Sequence, residues 1–204
     1  MADILQKEEM EQYLKEKKLI VEPILEWEKQ INPVGIDIRL DNYFGEFIKT
    51  TEPYVSPAKK TSELRFVEKE FFYDSFYLHP GEFVLAQSFE YISLPNDLIG
   101  FLNGKSSLGR RGLLIHATAN IVDPGWKGHI VFELANLGSM PIELIPLMRI
   151  ARIVFFKVEE TQEYKGKFKG QIKIISPEPD ETVTQIHLMS SEYKNKIFRE
   201  IEQR

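Results

Sequence analysis

The chain has 204 residues, 43% hydrophobic and 28% charged, with 26 Lys+Arg against 31 Asp+Glu for a net charge of −5, and no cysteine. A disulfide framework, a thiolate nucleophile, an iron–sulfur cluster and a cysteine-ligated zinc site are therefore excluded, and His79, His116, His129 and His187 form no H-x-x-x-H or H-E-x-x-H pair. The acidic balance argues against a nucleic-acid partner but leaves room for a small anion held by local cations, and a charged N-terminus without an apolar run near ~20 residues points to a soluble, cytoplasmic chain with no membrane partner.

After Gln6, the residues Met10, Tyr13 and Leu14 recur at helical spacing among Glu and Lys, which predicts an amphipathic helix. Runs rich in Ile, Val, Phe and Leu then predict strands over residues 35–40, 82–94, 113–117, 129–136, 141–145 and 149–158. Turn dipeptides such as Pro80-Gly81, Pro95-Asn96, Pro124-Gly125 and Leu137-Gly138 separate them. The polar stretch from Thr50 to Lys69, carrying Pro53 and Pro57, reads as an excursion from the core. From Glu159 to Lys173, lysines alternate with small and aromatic residues. This is either a mobile flap over a ligand or a solvated connector, and composition alone favours the connector. Behind Ser190-Ser191, the residues Tyr193, Ile197, Phe198 and Ile201 line one side of a second helix reaching Arg204. Many short strands between two helices predict a mainly β fold, barrel or sandwich, in one domain over 1–204 with 174–204 as a C-terminal extension.

Three segments offer chemistry. Gly100-Phe-Leu-Asn-Gly104-Lys105-Ser106 superficially resembles a phosphate loop, but three residues separate its glycines where that motif needs four, and the surroundings read as strand and turn. What remains is Gly104 to Arg111, GKSSLGRR, whose three cations, two hydroxyls and flexible glycines suit an anion site or, equally, a basic surface turn. Asp123 lies in the Pro124-Gly125 turn, as a surface charge, an Asx-turn or an acceptor for a sugar hydroxyl. Glu133 alternates onto one strand face with Val131 and Ala135, opposite Ile130, Phe132 and Leu134. A solvent-facing glutamate is the commoner outcome there; a desolvated one would have the raised pKa that suits a general acid–base group.

In order, Lys105-Ser-Ser-Leu-Gly-Arg110, Val122-Asp-Pro-Gly-Trp-Lys-Gly128 and Ile130-Val-Phe-Glu133 resemble the dCTP deaminases, a branch of the trimeric dUTPase-like superfamily. Gly35-Ile-Asp-Ile-Arg-Leu40, Leu78-His-Pro-Gly81 and Leu94-Pro-Asn-Asp97 are similar to further family segments, so the resemblance runs from the first helix to about Gln171. It implies a distorted β-barrel of the dUTPase-like type and zinc-free hydrolytic deamination of dCTP to dUTP, feeding dUMP and dTTP synthesis. By the same resemblance Glu133 cycles the proton, while Ser106 and Arg110 hold the water and stabilise developing charge. Lys105 and Ser107 would bind triphosphate oxygens, Asp123 the deoxyribose 3′-hydroxyl, and the backbone of Val131 and Phe132 the base. Tyr164, Lys167 and Gln171 match a family flap segment, which reverses the connector reading of 159–173. Mg²⁺ carried on the triphosphate, a homotrimer with sites at subunit boundaries, dUTP as a second substrate and dTTP as an inhibitor are further implications.

Ile121 stands where dUTP-releasing members often carry arginine, which leans towards the bifunctional members that continue to dUMP and pyrophosphate; Arg152 stands where those members tend to have glutamine, which by the same resemblance pulls the other way or adds a phosphate contact. A plain dUTPase would have an apolar residue in place of Glu133 and a glycine-rich C-terminal arm. A non-catalytic nucleotide sensor would have no need for Ser106, Arg110 and Glu133 together.

Overall fold

A computed structural model describes residues 3–48, 54–58, 66–70, 74–159, 161–166, 168–174, 179 and 181–189. The chain divides into two compact units, residues 1–46 with 68–174 and residues 47–67 with 175–204.

In the larger unit, α1 (Lys7–Lys15) starts where Glu9 reaches back to the backbone N–H of Gln6. It buries Met10 completely and packs Tyr13 and Leu14 against the core, the face that the sequence spacing predicts. There follow β1 (Ile20–Glu22), α2 (Trp27–Gln30), β2 (Ile36–Phe47), β3 (Phe66–Glu70), β4 (Phe76–Leu78), β5 (Phe83–Ser93) and β6 (Leu98–Gly104). After them come the single turn α3 (Ser106–Gly109), then β7 (Leu113–Leu114), β8 (Ile121–Val122), β9 (Lys127–Asn136), β10 (Ile142–Leu144) and β11 (Arg149–Lys157).

The main sheet runs β7-β9-β5-β2-β11-β6-β8 with β1 beside β5, and β10 pairs with β4 in a separate ribbon. The fold is mainly β, with the main sheet curled into a half-barrel. Its core follows from strand alternation: Ile36, Ile38 and Leu40 on β2, Phe132 and Leu134 on β9, and Ile153 and Phe155 on β11 are all fully buried. Two bulges interrupt the alternation near the site. One on β5 lies between Gln87 and Tyr91, and one on β11 lies between Arg149 and Ala151.

Several boundaries differ from expectation. The strand expected over 113–117 stops at Leu114, because the backbone from Ile115 onward turns to serve Glu133. The glycine-flanked run 100–104, read above as strand and turn, lies on β6 paired with β11, and a Cβ at Gly104 would lie 2.7 Å from the Ile115 side chain. In the smaller unit the described residues include a helix, α4 (Glu181–Leu188), in the stretch from 174 onward. The helix expected over 190–204 lies outside the described residues. Among the described residues no helix is long and apolar enough to cross a membrane.

Candidate active site

The site is built along one edge of β9. Glu133 donates its backbone N–H to Ile115 O at 3.1 Å, and His129 donates its own to Gln171 O at 2.9 Å. Alternate residues of a strand aim their backbone groups at the same edge, so the N–H and C=O of Val131 point into the gap between these two pairings. On the other edge β9 follows β5, with Val131 opposite Gln87 and Phe132 opposite Ala86. The Phe132 side chain is wholly within the core, so backbone is all it offers a ligand. A donor and an acceptor at one residue match the paired polar edge of a pyrimidine.

Glu133 is half-buried, neither of the two extremes that alternation alone allows. Its Oε2 accepts the successive N–H groups of Ala117 at 2.9 Å and Thr118 at 3.0 Å, and the Thr118 hydroxyl lies 3.4 Å from both carboxylate oxygens. Charge-assisted bonds from two consecutive amides fix its orientation beside the Val131 gap. The bend that aims those amides is itself closed by the His116 ring against Ala119 O.

The basic segment forms the turn α3. Leu108 N and Gly109 N bond to Lys105 O at 2.9 and 3.0 Å, Arg110 N bonds to Ser106 O at 3.0 Å, and the Arg111 guanidinium reaches Ser107 O at 2.6 Å. Ser106, Ser107 and Arg110 are exposed, and among the described residues their hydroxyls and guanidinium hold no hydrogen bond or ion pair. Lys105 differs: its Nζ sits 2.5 Å from Oδ2 of Asp37, a carboxylate only 1% exposed. Asp123 is exposed at the turn closed by Trp126 N to Asp123 O at 3.1 Å.

The described residues of segment 159–171 fold onto that turn rather than forming a solvated connector. Tyr164 N bonds to Pro124 O at 2.9 Å and its ring lies 5.4 Å from that of Trp126, while Gly170 N bonds to Lys127 O at 2.6 Å. Gln171 is buried against Gly128, whose φ of +143° and lack of a Cβ permit the approach; a Cβ there would lie 2.8 Å from Gln171 O. Lys167 lies outside the described residues.

Sequence reasoning assigned no role to Asp37, Arg149 or the amides of Ala117 and Thr118. The available signal was a carboxylate and two arginines in otherwise apolar strand runs. Beside Asp37, Glu90 on β5 is fully buried and accepts Arg39 N at 2.8 Å and Gln30 Nε2 at 2.9 Å, and burial pushes its carboxyl up to about 7. Among the described residues no cluster of three or more His, Asp or Glu is placed to hold a metal ion.

The model of the dCTP deaminase-like family matches residues 4–158. The chain is 46% identical over 149 residues to a protein of Streptomyces griseus named "dCTP deaminase, dUMP-forming", covering 69% of this chain and 78% of that one. It is 42% identical over 167 residues to one of the same name from Dictyoglomus turgidum, covering 79% and 86%. The fold is similar to the crystal structure of 2′-deoxycytidine 5′-triphosphate deaminase from Agrobacterium tumefaciens, with a TM-score of 0.61 and 22% identity over 77% of this chain and 49% of that one, so this chain spans about half its length. With a family match over most of its length and relatives this similar, the chain belongs to the dCTP deaminase-like family.

Proposed function

We propose that the protein is a bifunctional hydrolase that converts dCTP and two waters to dUMP, pyrophosphate and ammonia. The observation that carries the deaminase half is the placement on β9 of an oriented carboxylate, Glu133, beside the outward-facing N–H and C=O of Val131. The backbone pair holds the cytosine edge. Glu133 takes a proton from the water that adds at C4 and returns it to the departing ammonia. Ser106 and Arg110 hold the water and stabilise charge as it develops. Their exposed side chains, without partners among the described residues of their own chain, suit a site completed at a subunit boundary of a homotrimer.

The dUMP-forming half is supported by the names of the relatives and by the apolar Ile121, and it displaces release of dUTP as the preferred outcome. The second water attacks the α-phosphorus and pyrophosphate leaves. Asp123 receives the 3′-hydroxyl, Ser107 and Lys105 the phosphates, and Tyr164, Lys167 and Gln171 close over them. Mg²⁺ arrives on the triphosphate as part of the substrate, and this reading requires no zinc.

The test is separate incubation with dCTP and with dUTP in the presence of Mg²⁺, followed by chromatography. dUMP and pyrophosphate are expected from both. dUTP without pyrophosphate from dCTP would mark a simple deaminase, turnover of dUTP alone a dUTPase, and no turnover a nucleotide-binding protein; each would overturn the proposal.

A further inference from the structure

Given the nucleotide reading above, on which this assignment rests, we infer that Ser88 in the β5 bulge is a positioning residue for base recognition. It fixes the stretch of β9 whose Val131 backbone meets the pyrimidine edge. Ser88 Oγ accepts the N–H of Ile130 at 2.8 Å, and its carbonyl oxygen accepts Nδ1 of His129 at 2.8 Å. Both residues that precede Val131 are thereby tied to one fully buried serine.

β5 and β9 stay in register from Phe83 to Gln87 and again from Tyr91 to Ser93, but between these stretches Ser88, Phe89 and Glu90 stand opposite Ile130 alone. On β9 the N–H groups of His129, Val131 and Glu133 aim at the open edge, and those of Ile130, Phe132 and Leu134 aim at β5. Phe132 and Leu134 meet Ala86 and Val84 in the regular ladder. Ile130 meets the bulge, where a side-chain oxygen accepts its N–H. The Ser88 hydroxyl is locked in that orientation, because it donates its own proton to Glu90 O at 2.7 Å. His129 adds a second tie, with its ring edge-on to Tyr91 at 5.8 Å between centroids. The bulge is braced from the core side: the fully buried Glu90 carboxylate accepts Arg39 N and Gln30 Nε2, and Ser88 lies opposite Leu40 of β2.

The place of this serine in the strand pair sets its role. Val131 N–H belongs to the peptide group between Ile130 and Val131, so a rotation at Ile130 swings that donor directly. On the open edge, the bonds to Gln171 O and Ile115 O hold the residues on either side and leave Val131 facing the gap, so its aim is set from the β5 side. There Ser88 holds the adjoining residue. Glu133 is held independently by the amides of Ala117 and Thr118, and the sugar and phosphate positions lie on other segments, the Asp123 turn and α3. Loss of the Ser88 hydroxyl therefore acts on the base and spares the rest of the nucleotide. A serine that only completes the packing of the sheet would affect every part of the nucleotide alike.

The test compares dCTP with 2′-deoxyribose 5′-triphosphate, which keeps the sugar and phosphates and lacks the base. Both are titrated by calorimetry in the Glu133→Gln background, where dCTP persists, with and without Ser88→Ala. Ser88→Ala is expected to weaken dCTP by about tenfold, the scale of a buried polar group left without its hydrogen bond, and to leave the abasic triphosphate unchanged. Equal weakening of both ligands would reduce Ser88 to a packing role, and unchanged affinity for both would remove it from the site; either result overturns the assignment. Should Ser88→Ala not fold, His129→Phe keeps a ring against Tyr91 and removes the bond to Ser88 O. A loss of about fivefold confined to dCTP is then expected, and the absence of a selective loss overturns the assignment. Turnover of dCTP by the wild-type protein is assayed alongside. Selective loss of dCTP binding in a protein that leaves dCTP intact would refute the hydrolase reading and keep the role of Ser88. Wild-type turnover of dCTP with no selective loss in Ser88→Ala would do the reverse.

Discussion

Replacing Glu133 by glutamine separates its chemical role from its structural one. The carboxylate accepts two backbone N–H groups at 2.9 and 3.0 Å, and a glutamine carbonyl can keep both while its amide nitrogen faces the water site. Exchanging charge-assisted bonds for neutral ones costs on the order of 1 kcal/mol of stability, so the variant should fold and retain nucleotide. Chemistry should fare far worse, because an amide cannot take a proton from water and hand it on. Removal of a general acid–base group costs about 10²–10⁴ in rate, or roughly 3–5 kcal/mol of barrier. The assay is single-turnover ammonia release from dCTP, with Kd for dCTP measured by calorimetry in parallel. A rate within tenfold of wild type at unchanged Kd would refute the proton-cycling role.

Loss of the Arg110 guanidinium in Arg110→Ala should lower kcat by about 10² or more, by analogy with the removal of one preorganised charge-stabilising donor; an effect on KM alone would contradict its assignment. Gly128→Ala forces a Cβ to within 2.8 Å of Gln171 O and should undock segment 159–171, read as faster proteolysis there and a higher KM; unchanged cleavage would count against the docking. For Glu90 the carboxyl is held at about 7 in the fold, mainly by burial, against an ordinary 4.5. The neutral form is thus favoured in the folded state, and the associated stability is complete below pH 4.5 and lost as pH rises through 7. At most about 3 kcal/mol is involved, so the unfolding free energy should drop between pH 5 and 8, and less so in Glu90→Gln; an equal drop in both proteins would show that Glu90 is not the cause.

Much of the site was legible because it rests on alternation and turn chemistry. Ile130, Phe132 and Leu134 face inward on β9 as their spacing dictates, which is what leaves Glu133 on the outer face. The first helix was legible in Met10, Tyr13 and Leu14 for the same reason. What escaped depends on contacts distant in sequence. Asp37 alternates with Ile36 and Ile38 as a solvent-facing residue would, yet three cations from α3's start and β11 bury it. The β11 bulge that gathers two of them has no local sequence mark. Leu113 to Ala117 is apolar enough for a strand, but the amides of Ala117 and Thr118 are claimed by a carboxylate on β9. Composition likewise made 159–173 a connector, because the backbone bonds that hold it against Pro124, Lys127 and Gly128 require no particular side chains apart from the glycine.

The proposed function gives both chemistries to one nucleotide site, from which we expect deamination and triphosphate cleavage to occur in one visit. It is tested most directly by a quenched time course with labelled dCTP in a large pool of unlabelled dUTP. Labelled dUMP is expected to appear in step with ammonia, while pyrophosphate also arises from the dUTP pool, with labelled dUTP never exceeding the concentration of enzyme. Labelled dUTP accumulating in proportion to the ammonia released would contradict it.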